Sequence, residues 1–173
     1  MRFKISENSG LKAILLRKIK YQMDKQFEIL RANRQLILKV IEGLTPEQLN
    51  KIPEGFKNNI AWNMGHLVVT HQLLCYKFSG VEFLVNNKMI TKYQKGTAPN
   101  EVISAQELET TQDLFVSLID QFEEDYKSGI FKKYQAYTTS ANVTLTTIND
   151  ALEFNNFHEG IHLGYILALK KLV

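Results

Sequence analysis

Apolar residues recur at helical spacing along four long stretches, and none shows the sustained alternation of a strand, which predicts an all-α protein. The first long helix runs from about Leu11 or Met23 to Ile41, with Phe27, Leu30, Ile37, Val40 and Ile41 inward, and Gly43 ends it. Thr45-Pro46-Glu47-Gln48 combines an N-cap, a proline at the first helical position and a glutamine at the third, and so opens a short connector. Asn58 or Asn59 caps the second long helix, whose stripe is Ile60, Met64, Leu67, His71, Leu74 and Phe78, closed by Gly80. Ser104-Ala105-Gln106-Glu107 reads as a capping box for the third, with Leu108, Leu114, Phe115, Leu118, Phe122 and Tyr126 on its core face and Gly129 at its end. Thr147 caps the last helix, Ile148 to about Leu172, with Ala151, Phe154, His158, Ile161, His162, Tyr165 and Leu169 inward. Two connections are long: an irregular one over 81–103, marked by Tyr93, Gly96-Thr97 and Pro99, and an aromatic one over 131–145, with Phe131, Tyr134 and Tyr137. Four helices with two long connecting loops predict a four-helix bundle, the loops being candidate walls over a site or caps on the core.

Composition adds bounds. The 173 residues are 45% hydrophobic and 23% charged, the balance of one water-soluble globular domain large enough to need neither disulfide nor structural metal. The lone Cys75 cannot form an internal disulfide, and a reducing cytoplasm is the expected location. The net charge of +3 is concentrated at the start: Arg2, Lys4, Lys12, Arg17, Lys18 and Lys20 against Glu7 give residues 1–20 a net +5, leaving about −2 for the rest. No nucleic-acid partner is expected of so neutral a domain. Residues 1–22 read as a basic extension or a stretch upstream of a start at Met23, and 23–173 as the bundle domain. The apolar stretch Ala13 to Leu16 is too short for a signal peptide core, and no stretch approaches a membrane span.

The chemistry lies in the histidines. His158 and His162 are one turn apart, so their side chains project from one face about 5 to 6 Å apart, the spacing of metal ligands. Unpaired imidazoles on an apolar stripe cost about 1 to 3 kcal/mol each, so a shared partner is expected. His158-Glu159-Gly160-Ile161-His162 matches the zincin protease pattern formally, but only eleven residues follow His162 and no third ligand lies downstream. Glu159, ~100° around the helix from His158, reads as a surface carboxylate or one supporting a ligand from behind. The second helix offers His66 or His71 as third ligand. His71 is central on that helix's stripe and His66 is offset, but the helix is apolar nearly all round, so periodicity leaves the choice open. Cys75, one turn past His71, reads as a small core residue rather than a nucleophile. Gly160 and Gly164 read as permitting a close helix approach, inside the bundle or at a dimer seam.

Several segments resemble the DinB/YfiT-like family. His158-x-x-x-His162-x-Gly164-x-Ile166 resembles its closing motif, Trp62-Asn63-Met64-Gly65-His66-Leu67 its first-histidine segment, and Tyr93-Gln94-Lys95-Gly96-Thr97-Ala98-Pro99 a loop of one branch. The resemblance spans about Met23 to Val173. It implies an up-down-down-up four-helix bundle with a divalent metal, Zn or Ni, on His66, His158 and His162, and leaves His71 without a counterpart. It also implies dimerisation and a metal-dependent transferase or isomerase acting with a low-molecular-weight thiol. Three neutral ligands leave coordination positions open, as catalytic sites require. The expected activity is therefore a thiol-dependent transfer to a small-molecule substrate in the cytoplasm, with a metal-dependent hydrolase or a non-catalytic binding bundle as alternatives.

Overall fold

The computed structural model describes residues 6–173, with side chains from residue 10 onward, so Arg2, Lys4 and Glu7 of the basic lead lie outside the described side chains. The chain is mostly helical. Four long helices, α1 (Ser6–Ile41), α3 (Ile60–Cys75), α5 (Ala105–Ser128) and α6 (Ile148–Lys170), are joined by two short ones, α2 (Pro46–Asn50) and α4 (Asn87–Tyr93). α1 and α3 each pack against both α5 and α6.

Helix boundaries follow the local chemistry. Thr45 and Gln48 complete a reciprocal capping box on α2, Asn59 accepts from the Trp62 amide to start α3, and Thr147 with Asp150 forms a second box on α6. Gly43 and Gly129 turn the chain out of α1 and α5 at φ of 79° and 74°, in the left-handed region where a Cβ is unfavourable. The expected box on α5 is only half made. Ser104 accepts from the Glu107 amide, whereas the Glu107 carboxylate is taken by Lys92 and by the Tyr93 hydroxyl at 2.6 Å.

Three expectations are corrected. The 81–103 connection is not irregular throughout, since Asn86 caps α4 within it. The 131–145 connection carries a two-residue antiparallel pair, β1 (Tyr137–Thr138) with β2 (Thr144–Leu145), and its aromatics cover the far end of α3: Tyr134 Oη donates to the Leu74 carbonyl at 2.9 Å, Phe78 stacks on Tyr137, and Phe131 packs on Tyr76. They cap the core and do not reach the histidines. The third correction concerns α6. Its buried face is Ala151, Leu152, Asn155, Asn156, Glu159, Ile166 and Leu169, whereas Ile161 is 53% exposed and His158 and His162 are half-buried at the edge facing α3.

That rotation has a cause in α1. Its core stripe is Met23, Phe27, Leu30, Arg34, Ile37 and Ile41, so a guanidinium sits in the middle of an apolar face. Arg34 Nη2 meets Glu159 Oε1 at 2.8 Å, and both side chains are essentially inaccessible. A charge removed from water this completely needs an opposite charge, and the polar side of α6 supplies it in Glu159. Among the described side chains of α1, burial begins at Met23, and residues 10–22 are exposed. Gly160 and Gly164 face outward: a Cβ added at either meets nothing within 4 Å, so neither serves packing inside the molecule. Among the described residues, no helix is long and apolar enough to cross a membrane.

Candidate metal centre

α3 is buried on nearly every side, from Ile60 to Val69, which is why its hydrophobic pattern does not say which side meets α6. The structure answers with His66. Potential ligand atoms of His66, His158 and His162 all lie within 4.8 Å of one another. His158 and His162 approach most closely, Nε2 to Nε2 at 3.1 Å, and the His66 ring lies 4.9 Å from that of His162 and 5.2 Å from that of His158.

The surrounding hydrogen bonds fix the tautomers. Asn63 Nδ2 donates to the Asn59 carbonyl at 2.7 Å and to Asn58 Oδ1 at 3.1 Å, so its Oδ1 faces His162 and accepts from the Nδ1–H at 2.7 Å. His66 Nδ1–H donates to the Tyr93 carbonyl at 2.7 Å, and its Nε2 lies 3.2 Å from the Thr70 hydroxyl. Both rings thereby keep Nε2 as the unprotonated nitrogen, the arrangement that outer partners impose on metal-bound histidines; the His162 Nε2 faces His158, and the His66 Nε2 accepts from the Thr70 hydroxyl, which would give way to an ion. Trp62 stacks on His66 at 4.7 Å and donates from Nε1 to Thr97 Oγ1 at 3.2 Å.

The segment 87–97 is held against α3 by a close approach. A Cβ on Gly65 would stand 2.6 Å from the Tyr93 ring, so only glycine lets that ring lie flat on α3 and present its carbonyl to His66. Tyr93 is itself buried and anchored through Glu107.

Electrostatics suit a cation. Burial pushes His158 down to about 3, helped by the neighbouring His162 and His66. It pushes His162 down to about 4, with His66 adding to the effect. His66 is lowered by burial as well, partly offset by its bond to Tyr93. At neutral pH all three are uncharged, the form that ligates metal. The Nε2 atoms of His158 and His162 lie 3.1 Å apart, and the buried Nδ1 of His158 has no partner among the described residues. Metal–nitrogen bonds of about 2.0 to 2.1 Å at tetrahedral angles place ligand nitrogens about 3.4 Å apart, so the set fits a divalent ion with modest adjustment.

The remaining sequence candidates lie elsewhere. His71 is fully buried, with its ring against Phe122 at 4.8 Å, its Nε2 unpartnered and its Nδ1 3.4 Å from Gln72 Nε2. Cys75 is buried and its thiol pushed well up by desolvation, so it is no nucleophile. Glu159 is neither a surface carboxylate nor in contact with the cluster; it points away to Arg34. Asn63, which holds the His162 ring, and Arg34, which pairs with Glu159, carry sequence signals of their own: an asparagine in an apolar helix and an arginine on an apolar stripe.

A cleft of about 400 Å³ opens beside the cluster, bordered by Lys57, Asn58, Asn63, Ile161, His162 and Tyr165. A larger depression of about 600 Å³ lies between the end of α1 and α5, away from any histidine, and has no comparable convergence of ligand groups.

A helical protein that gathers three neutral imidazoles from two helices, with no carboxylate among them, belongs to the class of histidine-site helical proteins. The family is narrower: the DinB superfamily model matches residues 29–166, most of the chain, and the chain belongs to that superfamily. No curated protein is similar enough to count as a match.

Proposed function

We propose that this DinB superfamily protein is a divalent-metal-dependent enzyme, that His66, His158 and His162 hold Zn²⁺ or Ni²⁺, and that it transfers a group to or from a low-molecular-weight thiol. The observation that carries this is the inward commitment of the Nε2 atoms: the Nδ1 edges of His66 and His162 are occupied by Tyr93 and Asn63, and the Nε2 atoms of His158 and His162 stand 3.1 Å apart. Imidazole nitrogen suits both ions.

When bound, the ion lets a thiol or water react as an anion near neutral pH. Three uncharged histidines would leave the charge of such an ion uncompensated, so the site would favour an anion such as a thiolate over a neutral group. The protein supplies orientation. Tyr93 and Asn63 hold two rings, and Trp62 covers His66 from the side. Glu159 takes no proton in this scheme because Arg34 and Asn155 occupy its carboxylate. The cleft beside His162 admits the electrophile between Ile161 and Lys57.

The proposed architecture is a four-helix bundle in up-down-down-up order, residues 23–173, with 1–22 as an extension. Gln22 pairs with Glu153 and Asn156 with Gln26, a parallel register of α1 and α6. Arg31 pairs with Asp120 and Arg34 with the Phe115 carbonyl, an antiparallel register of α1 and α5. We also propose a cytoplasmic homodimer. On the outer side of α6, Phe157 and Leu167 are 56% and 43% exposed and flank the open Gly160 and Gly164. Glu153 and Lys171 end that stripe on the same side, equally far from residue 162. A second copy laid antiparallel across it sets each Glu153 opposite a Lys171, each Phe157 opposite a Leu167 and each Gly160 opposite a Gly164.

The test is conjugation of low-molecular-weight thiols to an electrophile panel, with Zn²⁺ or Ni²⁺ added. Thiol-dependent turnover absent from His158→Ala supports the proposal. Turnover without thiol favours a hydrolase, and none in either protein favours a binding bundle.

A further inference from the structure

Two of the three histidines are aimed by a side-on hydrogen bond, and the third is not. His66 has the Tyr93 carbonyl and His162 has Asn63 Oδ1, but the Nδ1 of His158 is buried with no partner among the described residues. The direction of the His158 ring is therefore set by the rotation of α6 itself. A ring nitrogen stands roughly 6 Å from a helix axis whose Cα radius is about 2.3 Å, so a turn of about 10° moves it by about 1 Å. Metal sites tolerate errors of only about 0.2 Å.

The residue after His158 is where that rotation is locked. Glu159 is fully buried and accepts from Arg34 Nε at 3.1 and 3.3 Å, from Arg34 Nη2 at 2.8 Å, and from Asn155 Nδ2 at 3.0 Å. The same guanidinium donates from Nη1 to the Phe115 carbonyl on α5 at 2.9 Å and lies 4.6 Å over the Phe115 ring. One side chain of α1 thus ties α5 and α6 at the level of the cluster. Stability alone does not account for it, because a buried ion pair is commonly no better than apolar residues of the same volume. What the planar fork adds is direction.

We propose that Arg34 and Glu159 are positioning residues for the metal centre, fixing the rotation of α6 so that His158 reaches the ion. This rests on the metal-site reading above. The test compares wild type with the double variant Arg34→Met/Glu159→Leu, measuring Zn²⁺ affinity by chelator competition, the visible spectrum of the Co²⁺ form, and unfolding of the metal-free protein. The expected result is unchanged or higher unfolding temperature, a tenfold or greater loss of affinity, and altered Co²⁺ bands. Wild-type affinity and wild-type bands in the double variant overturn the inference. Should the double variant not fold, Arg34→Lys decides: it keeps the charge but not the fork, so weaker affinity with altered bands is expected, and wild-type values overturn the inference. The failures are distinguishable, because a wild-type protein that takes up neither ion overturns the metal-site reading itself.

Discussion

Asn63 and His162 are joined by a 2.7 Å hydrogen bond in which the amide oxygen of one helix holds the imidazole of another. The amide is oriented by its own donations to Asn58 and Asn59, so the imidazole has one available tautomer. Outer partners of this kind are typically worth about 10- to 100-fold in metal affinity. Asn63→Ala is expected to weaken Zn²⁺ binding by that factor while the helix content, read by circular dichroism, stays unchanged.

Gly65 is the contact point between α3 and the segment that orients His66. Gly65→Ala puts a Cβ 2.6 Å from the Tyr93 ring, and the ring cannot retreat without carrying the backbone carbonyl away from His66. The expected cost is about 1 to 3 kcal/mol in chemical denaturation, as for other overpacked sites, accompanied by weaker metal binding. Gly160→Ala, which meets open space within the chain and lies inside α6, is expected to leave metal binding unchanged and to raise stability by up to about 1 kcal/mol.

How far the sequence anticipated this arrangement depended on how closely each segment obeyed a single rule. The caps of α2, α3 and α6 were legible because one side chain and one amide decide each of them. His158 and His162 were legible from spacing alone. The choice of His66 over His71 was open to periodicity, since α3 is buried all round, and rested on the family resemblance. The facing of α6 runs against its hydropathy because its buried side carries Asn155, Asn156 and Glu159, residues that hydropathy assigns to solvent. Only pairing Glu159 with Arg34, itself 125 positions away and on an apolar stripe, reverses that assignment. A local pattern holds no record of so distant a partner.

His71 makes a prediction in acid. Burial, with the nearby Arg34 charge adding to it, lowers the His71 pKa well below its ordinary value of 6.5. The folded protein therefore keeps the ring neutral while the unfolded chain takes up a proton below about pH 6.5. Stability from this residue is present above that pH and is lost as the pH falls, at up to about 1.4 kcal/mol per pH unit. Metal-free His71→Leu is expected to lose stability less steeply than metal-free wild type between pH 6.5 and 5 in urea titrations; the other histidines contribute equally to both proteins. Equal slopes would show that His71 titrates normally in the folded state.

The dimer proposal makes a charge-swap prediction. Glu153→Lys sets like charges against Lys171 across the antiparallel seam and is expected to shift the protein towards monomer in size exclusion with light scattering. Glu153→Lys with Lys171→Glu restores opposite charges and is expected to restore the dimer. Monomeric wild type, or a double variant no better than the single one, would remove this face from consideration.

The central claim is that three histidines from two helices form one metal site, and metal content tests it most directly. Untagged wild type, His66→Ala, His71→Ala, His158→Ala and His162→Ala would be measured side by side by inductively coupled plasma mass spectrometry after reconstitution with Zn²⁺ or Ni²⁺. The predicted result is close to one ion per chain in wild type and His71→Ala, and little in the other three variants. Metal retained without His66 and His158, or absent from every protein after reconstitution, would contradict the account.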